Sequence, residues 1–113
     1  MVYEIEIYET ANGKCPYLDW LDGLKDVQGR AIVRVRVDRL KLGNFGDCEP
    51  VGEGVRELKI HFGPGYRVYF GQIGKKCVLL LSGGSKGAQA KDIVKAKEYF
   101  DDFKRSEENH GKK

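Results

Sequence analysis

Lys59, His61, Arg67 and Tyr69 are spaced so that one pair of strands would bring them together. In the segment Val55–Phe62, Leu58, Ile60 and Phe62 alternate with Glu57, Lys59 and His61. In Tyr66–Gln72, Tyr66, Val68 and Phe70 alternate with Arg67, Tyr69 and Gly71. Successive strand residues point to opposite faces. Pairing the two segments with like faces together therefore gathers Lys59, His61, Arg67 and Tyr69 on one polar face. Lys86 follows the next strand and is placed to overhang that face, where Glu57 is the one opposing charge. Cations so grouped hold a phosphate, and a tyrosine ring among them can stack on a base. Histidine is the side chain that titrates near neutral pH without help. The set reads as a cationic phosphate site with an aromatic platform.

Other chemistries find no footing in the sequence. Gly83–Gly87 is glycine-rich and follows a strand, but it lacks the GxxxxGK[ST] spacing of a nucleotide-binding loop. Neither GxSxG nor HExxH occurs. The two histidines, His61 and His110, are too few and too far apart for a metal site, so neither metal nor cofactor is expected. Cys15, Cys48 and Cys77 form no CxxC pair and read as reduced thiols. The start, MVYEIEIYET, is acidic where a signal peptide is basic and apolar. No apolar run reaches membrane-spanning length, so a cytoplasmic protein with no membrane partner is expected.

These residues need a scaffold, and the hydrophobic pattern supplies one. Val2–Tyr8 alternates as a half-buried strand, and Asn12-Gly13 marks a turn. Pro16 opens a helix whose stripe is Tyr17, Trp20, Leu21 and Leu24. Arg30–Leu42 fits a strand by its alternating valines. It also fits a helix by its length and its Leu42-Gly43-Asn44 stop, and it is assigned as helix. Gly43–Gly54 reads as a loop. Val55–Phe62, Tyr66–Gln72 and Cys77–Ser82, joined by tight turns at Gly63-Pro64-Gly65 and Ile73-Gly74-Lys75, read as an antiparallel meander. Gly83–Gly87 reads as a loop. Ile93, Ala96, Phe100 and Phe103 mark a last helix from about Gln89. The order β-α-α-β-β-β-α predicts an α+β fold, a small, mostly antiparallel sheet with helices packed on it.

The 113 residues suffice for one domain, here 1–103, followed by a frayed polar tail over 104–113. Composition is that of a globular chain, with 41% hydrophobic and 33% charged residues. The net charge of +3 is modest, but it is unevenly placed. Residues 25–42 carry Lys25, Arg30, Arg34, Arg36, Arg39 and Lys41 against Asp26 and Asp38. Residues 56–91 carry Arg56, Lys59, Arg67, Lys75, Lys76, Lys86 and Lys91 against Glu57 alone. Such a basic middle is suited to a polyanion.

Three stretches carry a family resemblance: Glu57-Leu-Lys-Ile60, Gly63-Pro-Gly-Tyr-Arg-Val-Tyr-Phe70, and Leu79-Leu-Leu-Ser-Gly-Gly-Ser-Lys86 with Gln89, Asp92-Ile93 and Ala96. Together they resemble the phage-derived, HigB-like branch of the RelE/ParE toxin superfamily, the addiction-module killer proteins. The resemblance spans about residues 3–100 and implies a RelE-like fold. It implies the toxin of a type II toxin–antitoxin system, a ribosome-dependent mRNA endoribonuclease that inhibits translation. Such an enzyme needs no metal. The 2′-hydroxyl attacks the adjacent phosphorus and leaves a 2′,3′-cyclic phosphate. By the same resemblance Arg67 and Lys86 are phosphate and transition-state ligands, and Lys59 or His61 is the base. Asp92 stands near the place of a tyrosine in the C-terminal helix of RelE proper. RNA contact falls to Tyr69, Arg56 and Gln89. The expected partners are the ribosome with its mRNA and a cognate antitoxin, commonly a helix-turn-helix DNA-binding protein. The alternatives on the same fold are a ParE-like gyrase inhibitor and an inactive toxin kept as an antitoxin-binding module.

Overall fold

The computed structural model describes residues 2–111. β1 (Glu4–Ile7) leads to α1 (Pro16–Gly23), which Pro16 opens in the first turn, where its missing N–H is not needed. α2 (Val27–Lys41) is capped by Asp26, whose Oδ1 accepts the Gly29 N–H at 2.9 Å. It stops in a Schellman motif. Gly43, at φ +79°, donates its N–H to Leu40, and Asn44 donates to Arg39. The valine alternation within α2 is thus helical, and three of its apolar side chains, Val33, Val37 and Leu40, turn inward.

Four strands follow: β2 (Cys48–Gly52), β3 (Val55–Ile60), β4 (Tyr66–Ile73) and β5 (Cys77–Ser85). A one-turn 3-10 helix (Lys86–Ala88) then feeds α3 (Gln89–Gly111). The order is therefore β-α-α-β-β-β-β-α, an α+β fold with one strand more than the sequence pattern predicts. That strand is β2, in the segment read as a loop. Its turn is the two-residue pair Glu53-Gly54, with φ +56° and +82°, the backbone of a primed hairpin turn. Glutamate is an unusual choice for the first of those positions, which hides the hairpin. Pro50 is tolerated because β2 is an edge strand.

The sheet order is β1-β5-β4-β3-β2, antiparallel throughout except for β1, which lies parallel to β5. One face packs on α1 and α2 through Tyr17, Leu21, Val33, Leu40, Leu58, Val68 and Phe70, among others. The other packs on α3 through Tyr8, Val55, Tyr69, Leu79, Leu81, Ala96 and Phe100. The sheet is thus covered on both sides, and the expectation that its second face is polar holds only at one end.

Glycines set how closely the helices approach. Gly83 and Gly84, expected in a loop, lie inside β5. A Cβ on Gly83 would sit 2.1 Å from Trp20 Cε3. At Gly84 the carboxylate of Asp92 occupies the same kind of space. Gly83→Ala is expected to cost about 1–3 kcal/mol by overpacking, read as a lower urea midpoint at unchanged slope. A variant as stable as wild type would mean that the indole moves freely.

α3 continues through the polar segment read as a frayed tail. There Arg105 Nε pairs with Asp101 Oδ2 one turn back, at 3.1 Å. Lys112 and Lys113, the end of that expected tail, lie outside the described residues. No described helix is long and apolar enough to cross a membrane.

Candidate active site

The end of the β3–β4 hairpin forms an open cavity of about 360 Å³. His61, Phe62, Gly63, Pro64, Gly65, Arg67 and Lys86 line it. Its walls are tied by the backbone. Gly65 donates to the Phe62 carbonyl, and the Lys86 N–H donates to the Gly65 carbonyl at 2.8 Å, joining the end of β5 to the turn. Gly65 has φ +85°, and a Cβ there would stand 3.4 Å from Lys86 Cβ and 3.6 Å from Arg67 Nη1. These are ordinary contacts, so this turn needs its glycine for the positive φ and not for space.

Arg67 is 6% exposed. Its Nη1 donates to the Tyr66 carbonyl at 3.3 Å. Its Nε lies 3.9 Å from Glu57 Oε2 and has no hydrogen-bond partner among the described residues. Glu57 is 1% exposed and accepts from the Tyr69 hydroxyl at 3.1 Å. It also accepts from Gln89 Nε2 at 2.9 and 2.8 Å, one bond to each carboxylate oxygen. Burial, with the Glu57 charge alongside, pushes the Tyr69 hydroxyl far above its ordinary value. This buried cluster anchors the first turn of α3 to the sheet and sets the guanidinium at the cavity wall.

Lys59 shares a face with Arg67, and the strand register places it directly opposite. Its ammonium, however, pairs with Glu49 Oε1 on β2 at 2.8 Å, and that hydrogen bond holds its pKa above the usual lysine value. His61 Nε2 lies 2.5 Å from Asp47 Oδ2, and the contact holds the Asp47 carboxyl below its usual range. Asp92 lies against Gly84, the cross-strand partner of Arg67, and burial pushes its carboxyl up. Among the described residues, no three of His, Cys, Asp and Glu are grouped so as to hold a metal ion.

A protein of Haemophilus influenzae, described as uncharacterized, is 46% identical to this chain over 78 residues, covering 69% of this chain and 79% of its own length. The chain belongs to the same family. No family model matches it. The α+β fold of this family member is compatible with a RelE-like arrangement.

Of the residues singled out from sequence, this member of the family brings His61, Arg67 and Lys86 to one cavity. Lys59 adjoins it but is engaged by Glu49. Three RNA-contact assignments need correction. Tyr69 is 0% exposed beneath α3 and offers no ring face for stacking. Gln89 points inward to Glu57. Arg56 pairs across the strands with Phe70, whose side chain belongs to the α1/α2 face, so it does not converge with Arg67. The residues missed are Asp47 and Glu49, which engage His61 and Lys59. Both belong to the segment read as a loop, and only recognition of the Glu53-Gly54 turn would have brought them to β3.

Proposed function

We propose that this chain is a HigB-like toxin of the RelE/ParE superfamily, a metal-independent endoribonuclease that cuts mRNA on the ribosome. The observation that carries the reading is the meeting of His61, Arg67 and Lys86 around one cavity at the sheet end. In-line transfer of an RNA phosphodiester needs a base for the 2′-hydroxyl, cations for the phosphorane, and a proton for the leaving 5′-oxygen. The 2′-oxygen forms the new bond to phosphorus as the bond to the 5′-oxygen breaks. The products are a 2′,3′-cyclic phosphate and a 5′-hydroxyl.

Arg67 and Lys86 would carry the phosphate charge. His61 is the better base of the two candidates, because Lys59 is held protonated by Glu49. With Nε2 engaged by Asp47, Nδ1 is the ring nitrogen left to accept the 2′-proton. Asp92, which stands against Gly84 across from Arg67 and outside the cavity lining, is the candidate acid for the 5′-oxygen. The partners in this reading are the ribosome, mRNA and a cognate antitoxin.

The test is cell-free translation with purified protein, mapping new mRNA 5′ ends with and without ribosomes. Ribosome-dependent cuts within codons are expected. Absence of cuts by folded protein would overturn the nuclease reading, and a DNA supercoiling assay would then test gyrase as the target. On the same readout, His61→Ala is expected to slow cleavage by about 10²–10⁴-fold, the usual contribution of a positioned base. Lys59→Ala is expected to slow it by less than about tenfold. The reverse order would return the base to Lys59.

A further inference from the structure

With Tyr69 in the core, the cationic cavity lacks the base platform expected from sequence. Phe62 supplies one. Strand alternation would turn Phe62 to the side of Leu58 and Ile60, away from His61. β3 stops at Ile60, however, and the Phe62 N–H donates to the Ile60 carbonyl at 2.9 Å, a three-residue turn centred on His61. Past that turn the two-residue period no longer applies. His61 and Phe62, neighbours in the chain, both line the cavity. The Phe62 carbonyl also accepts from the Gly65 N–H at 3.1 Å, so both of its backbone groups are engaged. Its side chain is half-buried against the core that includes Ile60 and Tyr66.

The lining divides by chemistry. His61, Arg67 and Lys86 are basic, Phe62 and Pro64 are apolar, and none of the described residues that line the cavity carries a carboxylate. Arg67 Nε is a buried donor with no acceptor among the described residues. Such a wall suits an anion joined to a flat apolar group. A nucleotide presents both parts, whereas a phosphate alone would leave the apolar wall wet. Every nucleobase has a face that can stack on an aromatic ring, and the preference among bases follows stacking strength. The two-ring purines offer the larger face.

We propose that Phe62, with Pro64 lining the same cavity, holds the base of the nucleotide 5′ to the cut and makes a purine preferred there. That nucleotide carries the 2′-hydroxyl that His61 deprotonates, and Phe62 is the residue next to His61. Arg67 and Lys86 then hold the phosphate that follows. The proposal rests on reading the cavity as the RNA-cleaving site. No bond forms or breaks at Phe62, which binds and orients the substrate.

Adenosine 3′-monophosphate carries the base, the 2′-hydroxyl and the phosphate of that nucleotide. Uridine 3′-monophosphate changes the base, and inorganic phosphate removes the nucleoside. Each probe is titrated into the full chain and followed by nuclear magnetic resonance. Adenosine 3′-monophosphate is expected to bind about fivefold or more tightly than inorganic phosphate, and more tightly than uridine 3′-monophosphate. In Phe62→Leu, which keeps an apolar side chain against the core, the adenosine-to-phosphate ratio is expected to fall toward one. Phe62→Trp is expected to keep it. Mapped mRNA cuts are expected to follow purines, and Phe62→Leu to flatten that bias. Circular dichroism checks that each variant is folded.

Equal binding of the three probes, or an unchanged adenosine-to-phosphate ratio in folded Phe62→Leu, would overturn the proposal. A purine bias on the 3′ side of the cut would overturn the assignment to the 5′ nucleotide. The two readings fail separately. Protein that cuts RNA but shows no Phe62-dependent ratio overturns the base platform alone. Protein that cuts nothing but keeps the ratio overturns the nuclease reading and leaves Phe62 as a nucleotide contact.

Discussion

Arg67→Ala is expected to lower RNA cleavage by about 10²–10³-fold, the scale of losing one preorganised donor to a developing anion. The guanidinium lies in the cavity wall with an unpaired Nε, and the strand pairing fixes its position opposite Lys59 and Gly84. Truncation also leaves Glu57 without its nearest cation, so loss of activity has to be separated from loss of fold. Arg67→Lys does this. It keeps a positive charge beside Glu57 but replaces the planar fork by a single ammonium. The expected outcome is near-wild-type thermal unfolding with cleavage still reduced by about tenfold or more. Growth arrest and 5′-end mapping read the activity, and circular dichroism melting reads the fold. A folded Arg67→Ala protein that cuts at the wild-type rate would remove Arg67 from the mechanism. Lys86→Ala, at the exposed rim, is expected to weaken cleavage more than it weakens antitoxin binding.

The largest expected loss of stability comes from Glu57→Leu. The carboxylate is nearly inaccessible to solvent and accepts from Tyr69 and from Gln89 while facing Arg67. A leucine fills much of the volume but strands a hydroxyl, an amide and a guanidinium in a dry place. Breaking a buried charge pair from one side typically costs about 3–5 kcal/mol. That is a large part of the total stability of most small domains. Urea unfolding followed by far-ultraviolet circular dichroism measures it. Glu57→Gln keeps an acceptor for Tyr69 and is expected to lose less. Equal, small losses in both variants would show that α3 docks without this cluster.

The parts of the fold legible in the sequence are those written in local chemistry. Leu42-Gly43-Asn44 ends α2 because only a residue tolerant of positive φ closes the Schellman motif. Gly63-Pro64-Gly65 and Ile73-Gly74-Lys75 mark the meander turns, and period-two alternation then puts Lys59 and Arg67 on one face, where the register pairs them. The illegible parts depend on what lies across the fold. The stripe Ile93, Ala96 and Phe100 announces that α3 has an apolar face. It does not say that this face lands on the side of the sheet that carries Tyr69, and that landing turns a base-stacking candidate into core. Gly83 and Gly84 look like loop residues until Trp20 and Asp92 are seen pressing on them. β2 escaped because Glu53 adopts a backbone conformation that its side chain rarely takes.

The parallel pairing of β1 with β5 also has a meaning in time. Glu4 finds its partner at Cys77 and Ile7 at Leu80, so β1 waits for β5, the last strand. Contacts this remote in sequence are slow to form, because the intervening chain must be ordered first. The chain therefore cannot complete its sheet progressively as it is synthesised. Until residue 80 has been added, β1 has no ladder to join, and α1 has no β5 with Gly83 on which to seat Trp20. Lys86, which completes the cationic cavity, is added later still. A nascent chain is consequently without its assembled cavity until β5 and Lys86 have been added.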